Sequence, residues 1–268
     1  MKKFFFYFKE LIKNINLSLL FKLNLIILKK NYSKYPDYLE NFETSLAKKF
    51  GFKHCLTFSS GTAAFYASIL SLELPKKAKV LISALTFPTV IEILKKNDFD
   101  IYYVEIDKNF EFILENIKQE KYDLCVLTHP FGFYLNFQNL RNILDDNTKI
   151  IFDSSHSQGI KIEGVDHMKF TDVSFMSLQG DKSISGGEGG AILTDNESLY
   201  LKMITNHHPG HKKNPKFKIV GAISDLKLRM HPLAAILAES DLKSFENRNE
   251  KLKDKIKLIY NYLDNYNV

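Results

Sequence analysis

The chain has 268 residues, of which 45% are hydrophobic and 25% charged, the proportions of an ordinary globular protein. This length suits one large α/β domain or two smaller ones with a sizeable buried core. The net charge of +6 comes mostly from lysines scattered over the whole chain. No RNA- or DNA-binding motif accompanies them, so a solvated lysine-rich surface is favoured over nucleic-acid binding.

Residues 1–30 are apolar and basic, but they lack the features of a signal peptide or of a membrane-spanning helix. Lys9 and Glu10 interrupt the apolar run, no small-residue cleavage site follows, and no run of about 18 apolar residues is present. Two alternatives remain. The segment forms helices that pack on the core or on a partner subunit, which we favour, or it is a basic amphipathic segment that touches a membrane surface.

From residue 38 onward, short apolar runs alternate with helical patterns. The predicted strands are HCLTF (54–58), KVLIS (79–83), DIYYVEI (100–106), DLCVLT (123–128), KIIFD (149–153), TDVSFMSL (171–178) and GGAILT (189–194). The predicted helices span 38–51, 59–72, 89–97, 112–119 and 135–144, with Gly51 as a C-terminal stop, and helices dominate after residue 196. This alternation predicts βαβ units and a mostly parallel sheet.

Cys55 and Cys125 each lie beside a strand-like apolar run. We expect both thiols to be buried and reduced, which suits a cytoplasmic protein.

The segment SSGTAA (59–64) lies between a predicted strand and a predicted helix. Gly61 would let the backbone come close to a ligand, and the first helical amides would point at an anion. The alternative is a plain turn in which Ser60 or Thr62 is an ordinary N-cap, and the segment alone favours that alternative.

Lys182 stands in SLQGDKSISGGEGG, downstream of Asp153, which ends an apolar strand. Pyridoxal phosphate (PLP) chemistry needs such a pair: the lysine forms a Schiff base with the cofactor aldehyde, and the carboxylate keeps the pyridine nitrogen protonated. In a parallel sheet, the carboxyl ends of the strands carry the ligands. A solvated lysine and an Asp that caps the next turn are the alternatives.

His156 and Ser177 lie close to this pair in the sequence. His156 would donate to the cofactor phenolate oxygen or be a solvated loop histidine; Ser177 would bind the cofactor phosphate or be an ordinary strand-end serine. Five glycines follow, at positions 180, 186, 187, 189 and 190. They indicate positive φ angles or close backbone approach, and they lead directly into an apolar strand, so an ordered turn is favoured over a flexible loop.

Several motifs together resemble the DegT/DnrJ/EryC1/StrS aminotransferases in order and spacing over roughly residues 38–265. They are SSGTAA, TFP (86–88), HPFG (129–132), FDSSHSQG (152–159), SLQGDKSISGGEGG (177–190) and LKLRMHPLAA (226–235). The resemblance implies a fold-type I PLP-dependent α/β protein whose mostly parallel seven-stranded sheet is flanked by helices. It also implies amination of a nucleotide-linked keto sugar, with glutamate as the donor, in cell-surface polysaccharide or related amino-sugar biosynthesis.

The resemblance also assigns roles to residues. Lys182 would be the catalytic Schiff-base lysine and proton shuttle, Asp153 would pair with the pyridine nitrogen, and His156 would lie near the phenolate oxygen. Relatives that act as dehydratases carry a histidine in place of the lysine, so Lys182 favours an aminotransferase.

The remaining cofactor contacts follow from the same resemblance. Gly61, Thr62 and Ser177 would hold the phosphate. Phe87 would stack on the cofactor ring, although the residue by itself favours a core aromatic. No metal ion is expected.

Lys227 stands where the family usually has an Asn that reaches the cofactor phosphate of a neighbouring subunit. A lysine can bind phosphate as a point charge. Together with Arg229, this position implies a homodimer whose active sites lie at the subunit interface.

The resemblance divides the chain into three parts. Residues 1–37 form a divergent basic, apolar helical segment, residues 38–240 form the PLP-binding large domain, and residues 241–268 begin a truncated C-terminal domain. Family members usually continue well beyond this point, so we expect a complete cofactor site and an incomplete sugar site. The alternative function is that of a truncated, catalytically impaired homologue, kept as a structural partner or as a remnant.

Overall fold

The computed structural model describes residues 35–108, 121–133, 137–162, 165–207 and 226–264, together with positions 113, 115 and 117. The helices within these ranges are α1 (Tyr35–Phe50), α2 (Gly61–Leu72), α3 (Pro88–Lys96), α4 (Phe137–Ile143), α5 (Glu197–His207) and α6 (Pro232–Asp264), with 3-10 turns at Pro130–Gly132 and His167–Phe170. The strands are β1 (His54–Phe58), β2 (Lys79–Ser83), β3 (Asp100–Val104), β4 (Leu124–Thr128), β5 (Lys149–Asp153), β6 (Lys161–Ile162), β7 (Val165–Asp166), β8 (Val173–Ser177) and β9 (Gly190–Thr194).

Seven of these strands form one mixed sheet in the order β1-β9-β8-β5-β4-β2-β3, and β6 pairs with β7 in a separate hairpin. Strands β3, β2, β4, β5 and β8 run parallel to one another, and β9 is antiparallel to both of its neighbours, β8 and β1, so β9 alone runs in the opposite direction among the seven strands of this sheet. The predicted α/β fold, with a mostly parallel seven-stranded sheet flanked by helices, is confirmed. The carboxyl ends of β1, β5 and β8 therefore lie at one edge of the sheet, beside the start of β9.

Except at the edge strand β3, the sheet is buried on both faces, as the continuous apolar runs predict. In β4 every residue is buried. Cys125 and Leu127 pack into the core on the side of α1 and α6, whereas Leu124 and Val126 pack on the side of α2 and α5. This alternation follows from the two-residue period of a strand. Two apolar layers thus hold the sheet rigid behind its carboxyl edge.

Strand β1 is at the edge of the sheet, and groups from elsewhere bond to its outer side. The amide and hydroxyl of Thr57 donate to Glu43 Oε1 at 2.8 and 2.7 Å. His207 Nε2 donates to Thr57 O at 2.7 Å, and Ser59 N donates to Leu228 O at 2.6 Å. These hydrogen bonds occupy backbone groups on the outer side of β1 that would otherwise be open to pairing with a strand of another chain. Burial raises the pKa of Glu43 to about 7.

The first described helix ends as predicted: α1 stops at Phe50, and Gly51 follows with a φ of 70°, the left-handed conformation of a helix stop. Cys55 and Cys125 are buried free thiols, as expected. The small β6–β7 hairpin was not predicted. The predicted helix over 112–119 lies mostly outside the described residues, and the segment 1–30 lies wholly outside them.

Helix α6 runs without a break through residue 241, where the sequence predicted a domain boundary. Its side chains from 251 to 263 are all exposed, including the apolar ones of Leu252, Ile256 and Ile259. In the described part of the chain, no helix combines the length and the apolar character that crossing a membrane requires.

Candidate active site

A cleft of about 510 Å³ opens at the carboxyl edge of the sheet. Its walls come from the β1–α2 turn, the β2–α3 loop, the ends of β4, β5 and β8, and the turn between β8 and β9. Seven of the predicted site residues line it: Gly61, Thr62, Phe87, Asp153, His156, Ser177 and Lys182. These residues are distant in sequence, and the topology brings them together because β1, β5 and β8 end at the same edge.

The N-terminus of α2 forms one end of the cleft. Ser60 is the N-cap, as the plain-turn alternative predicted, and its Oγ accepts from Ala63 N at 3.0 Å. Ala64 N makes the first backbone bond of the helix, to Ser60 O at 3.0 Å. The amides of Gly61 and Thr62 therefore point out of the helix end. Capping and anion binding are compatible here, because the cap uses a different amide from those that face the cleft.

The helix end touches the end of β8 and the start of β9. A Cβ on Gly61 would lie 3.0 Å from the Cβ of Ser177, so the two residues are in close contact. A Cβ on Gly190 would lie 2.3 Å from Ser60 O. Glycine is required at position 190 because the backbone of the β1–α2 turn passes directly over it. This packing sets Ser177 against Gly61, and the Ser177 hydroxyl accepts from Gln179 N at 3.3 Å.

Asp153 is a buried carboxyl at the floor of the cleft, with a residue exposure of 5%. Its Oδ1 accepts from Ser155 N at 3.0 Å. Burial raises the pKa of Asp153, and the Ser155 hydrogen bond and the charges of His156 and Lys182 oppose this shift without cancelling it. A cation brought into contact with this carboxyl would stabilise its charged form.

Residues 153–158 divide into two groups with different tasks. Asp153, Ser155 and His156 line the cleft, whereas Ser154 and Gln158 do not, and Ser154, Ser155 and Gln158 bond to β8. Ser154 Oγ donates to Phe175 O at 2.9 Å, Ser155 Oγ accepts from Ser177 N at 2.9 Å, and Gln158 Nε2 donates to Ser177 O at 2.8 Å. The second group carries no predicted role, and only its polar residue types in FDSSHSQG signalled it.

The ring of His156 is fixed by the HPFG turn. Phe131 N donates to His156 Nδ1 at 3.2 Å, and the two rings stack with centroids 5.7 Å apart. Because Nδ1 accepts this bond, a neutral His156 carries its proton on Nε2. Phe131 has a φ of 54°, which is unusual for a residue with a side chain. This conformation aims its amide at His156, and sequence reasoning missed the role of Phe131.

Lys182 lies in the cleft with its side chain 13% exposed, and its Nζ is 3.6 Å from Asp181 Oδ2. The turn that carries it contains glycines of two kinds. Gly187 and Gly189 have φ angles of 82° and 151°, whereas Gly186 is in close contact with α6. The ordered turn predicted from these glycines is what the structure contains.

Phe87 stands at the mouth of the cleft as the N-cap of α3, and it is 63% exposed. The expectation of a core aromatic, which the residue alone favoured, is therefore wrong. A hydrogen bond of 3.0 Å between the hydroxyls of Thr86 and Thr128 ties this loop to the end of β4. The Phe87 ring can thus cover a flat ligand from one side.

Lys227 lies outside the cleft lining of its own chain. It is exposed, next to Leu228, whose carbonyl binds Ser59 N, and near Arg229, which bridges to Phe58. The segment thus follows the outer edge of β1, close to the turn that precedes α2.

A sequence model of the DegT/DnrJ/EryC1/StrS aminotransferase family matches residues 22–267. GDP-perosamine synthase of Vibrio cholerae is 25% identical over 183 residues, which are 66% of this chain and 50% of that protein. GDP-4-keto-6-deoxy-D-mannose 3-dehydratase of Escherichia coli O55:H7 is 28% identical over 206 residues, or 70% and 52%. The 3-oxo-glucose-6-phosphate:glutamate aminotransferase of Bacillus subtilis is 29% identical over 190 residues, or 68% and 42%. The chain spans about half the length of these curated relatives.

Solved structures share the fold. An aminotransferase from Psychrobacter cryohalolentis superposes with a TM-score of 0.73 at 18% identity, covering 86% of this chain and 62% of that one. A GDP-4-keto-6-deoxymannose-3-dehydratase with a trapped PLP-glutamate geminal diamine superposes with a TM-score of 0.70 at 22% identity, covering 78% and 61%.

Proposed function

Because the chain belongs to the DegT/DnrJ/EryC1/StrS aminotransferase family, we propose that it binds PLP and transfers an amino group, from glutamate, to a nucleotide-linked keto sugar. One observation carries this proposal: Lys182, the buried Asp153 and the N-terminus of α2 face one cleft. A primary amine, a carboxyl and an anion site are the three contacts that this cofactor requires.

The residues of the cleft fit the cofactor. The burial that raises the pKa of Asp153 leaves a carboxyl that a protonated pyridine nitrogen would stabilise in its charged form. The amides of Gly61 and Thr62 at the helix end match a phosphate, and the neighbouring Ser177 lines the same cleft. When bound, PLP supplies an electron-accepting ring that stabilises negative charge at the α-carbon of an amino acid.

Lys182 has two tasks in this proposal. Its Nζ would hold the cofactor by a Schiff base to the aldehyde, formed with loss of water, and as a free amine it would move the proton at the α-carbon of the amino donor. The second task requires the amine to lie beside the reacting carbon, and the Lys182 side chain lies in the cleft, mostly shielded from water. In the second half of the reaction the same amine returns the proton in the opposite direction.

Asp153, His156 and Phe87 orient the ring. Asp153 holds the proton on the pyridine nitrogen, and His156 donates from Nε2 to the phenolate oxygen, since its Nδ1 is occupied by Phe131 N. Phe87 covers one face of the ring and excludes water from that side. Each of these contacts acts on a different edge or face of the cofactor, so together they fix its orientation.

The relatives indicate the substrate class. GDP-perosamine synthase and a GDP-4-keto-6-deoxy-D-mannose dehydratase act on nucleotide sugars by their names, and the Bacillus protein is named for glutamate. One relative is a lipopolysaccharide biosynthesis protein. We therefore assign the reaction to cell-surface polysaccharide or related amino-sugar biosynthesis in the cytoplasm, which agrees with two free, buried thiols. Lys182 favours amino transfer over dehydration.

The proposed assembly is a homodimer. Lys227 and Arg229 lie outside the cleft of their own chain, on the outer edge of β1 near the α2 turn, where a neighbouring subunit would approach. Most soluble oligomers are closed and two-fold symmetric. Light scattering of the PLP-bound chain at micromolar concentration is expected to give the mass of a dimer, and a monomer alone would contradict the assignment.

A second candidate is a homologue that holds PLP but turns over sugars poorly. It is favoured by the apolar side chains of α6 that are exposed from Leu252 onward. The two candidates differ in one measurement: the donor half-reaction with glutamate proceeds in both, whereas the keto-sugar half-reaction is fast only in the first.

Reduction with borohydride tests the proposed function. The chain is incubated with PLP, reduced, digested and analysed by mass spectrometry, with Lys182→Ala as the variant and Lys202→Ala, an exposed lysine of α5, as the matched control. We expect a cofactor adduct on Lys182 in the unmodified chain and in the control, and its loss in Lys182→Ala. An adduct on another lysine, or none, contradicts the proposed function.

A further inference from the structure

The turn that carries Lys182 is closed at its base by its own backbone. Gly186 N donates to Leu178 O at 2.9 Å, and Leu178 N donates to Gly189 O at 2.8 Å. These bonds fix where the turn begins and ends. They leave the residues next to Lys182, at the far side of the turn, to be held by other parts of the molecule.

Gln158 holds the inner side of the turn. Ile184 N donates to Gln158 Oε1 at 2.7 Å, and Gln158 Nε2 donates to Ser177 O at 2.8 Å. Gln158 is 5% exposed, so water does not compete with these bonds. One amide side chain therefore ties the turn to the end of β8.

Asp241 and Arg248 of α6 hold the outer side. Ser185 N donates to Asp241 Oδ2 at 2.9 Å, and Arg248 Nη2 donates to Ser183 O. The two side chains form an ion pair with each other, with Arg248 Nη2 at 3.0 Å from Asp241 Oδ2, and Arg248 Nη1 also donates to Ser244 Oγ at 2.6 Å. The pair thus binds the backbone directly after Lys182 and again two residues later.

The turn fits against the first part of α6 without spare room. A Cβ on Gly186 would lie 2.6 Å from Ala234 O, and one on Gly189 would lie 2.6 Å from the terminal methyl of Met230. The turn therefore cannot move toward α6, while Asp241 and Arg248 prevent it from moving away.

We infer that Asp241 and Arg248 are a positioning pair that sets the backbone of Lys182 for its bond to the cofactor. This rests on the proposed function, because it concerns the place of the Lys182 amine. Their side chains are 29% and 40% exposed, so the ion pair adds little to global stability. Bonds from charged groups to a backbone still favour one conformation of the turn, and losing one raises its opening about tenfold or more.

The experiment compares Arg248→Met, which keeps the aliphatic stem but removes every donor, with Glu246→Gln. The control breaks the ion pair between Glu246 and Lys49. Glu246 lies on the same helix as Arg248 but away from the turn. Hydrogen exchange of the peptide around 183–187 is measured in the intact chain without cofactor. The rate at which added PLP forms a borohydride-reducible bond to Lys182 is measured separately. The melting temperature is recorded for both variants.

In Arg248→Met we expect hydrogen exchange in the 183–187 peptide to be about tenfold faster than in the unmodified chain. We expect adduct formation on Lys182 to be about tenfold slower. The melting temperature is expected to stay close to that of the control. Unchanged exchange, or faster exchange with an unchanged rate of adduct formation, overturns the inference. An unmodified chain that forms no adduct on Lys182 contradicts the proposed function instead, and the exchange measurement then decides whether the pair orders the turn.

Discussion

A single methyl group at position 190 tests whether the cleft depends on the contact between β9 and the β1–α2 turn. In Gly190→Ala the new Cβ would lie 2.3 Å from Ser60 O, 2.4 Å from Ser60 C and 2.5 Å from Gly61 N. A carbon and a non-bonded heavy atom are in favourable van der Waals contact at about 3.5 Å or more. The turn must therefore move by roughly 1 Å to make room for the methyl group. The atoms in its way are backbone, which no rotamer change can remove.

The displacement has two measurable consequences. Overpacking of this kind costs about 1–3 kcal/mol of unfolding free energy. The amides of Gly61 and Thr62 also move relative to the rest of the cleft, and a misplacement of about 1 Å can lower a reaction rate roughly a hundredfold. We expect weaker PLP binding that exceeds what the loss of stability alone explains.

Gly180→Ala is the matched control, because it adds the same methyl to a glycine whose nearest new contact would be 3.8 Å away. Urea unfolding gives the stability of both variants, and a PLP titration followed by absorbance gives their affinities. The reasoning is refuted if Gly190→Ala matches Gly180→Ala in both quantities, because the turn and β9 would then not be in the contact that the structure describes.

Two further predictions concern buried carboxyls. Asp153→Asn is expected to bind PLP but to slow the donor half-reaction with glutamate by roughly two to four decades, since it removes the charge that holds the pyridine proton; a near-normal rate would remove Asp153 from the site. Burial raises the pKa of Glu43 from 4.5 to about 7, so the folded state binds this proton more tightly than the unfolded state. The unfolding free energy should therefore fall by up to about 3 kcal/mol as the pH rises through that window, and urea unfolding of Glu43→Gln at pH 5 and pH 8 should lack this decrease.

The strands of the seven-stranded sheet were predictable because most are short, largely apolar runs, and burial on both faces of most of them leaves little polar alternation to confuse the pattern. KVLIS, KIIFD and HCLTF match β2, β5 and β1 residue for residue. The reversed direction of β9 was not predicted. It follows from a connection, between Leu178 and Gly189, that folds back on itself by backbone bonds and carries no crossover helix.

Residues that hold other residues in place were the least predictable part of the site. Gln158 bonds to an amide 26 positions away, and Asp241 bonds to one 56 positions away. Neither contact leaves a periodic or compositional trace in the sequence, because each depends on which elements the fold brings together. Residues with reactive groups, such as Lys182 and Asp153, could be identified because their chemistry restricts the residue type.

The segment after β5 shows why loss of activity in a variant does not by itself identify a cofactor contact. Asp153 and His156 face the cleft, yet Ser155 between them donates its amide to Asp153 and accepts a bond from Ser177 N. Replacing Ser155, which also lines the cleft, removes the hydroxyl that accepts from Ser177 N and would therefore shift the proposed phosphate ligand, whereas the backbone amide that holds Asp153 remains. Such a variant should show weaker PLP binding together with altered stability, whereas a change at His156 should alter the cofactor spectrum with little effect on folding. The two measurements separate residues that bind from residues that hold the binding residues.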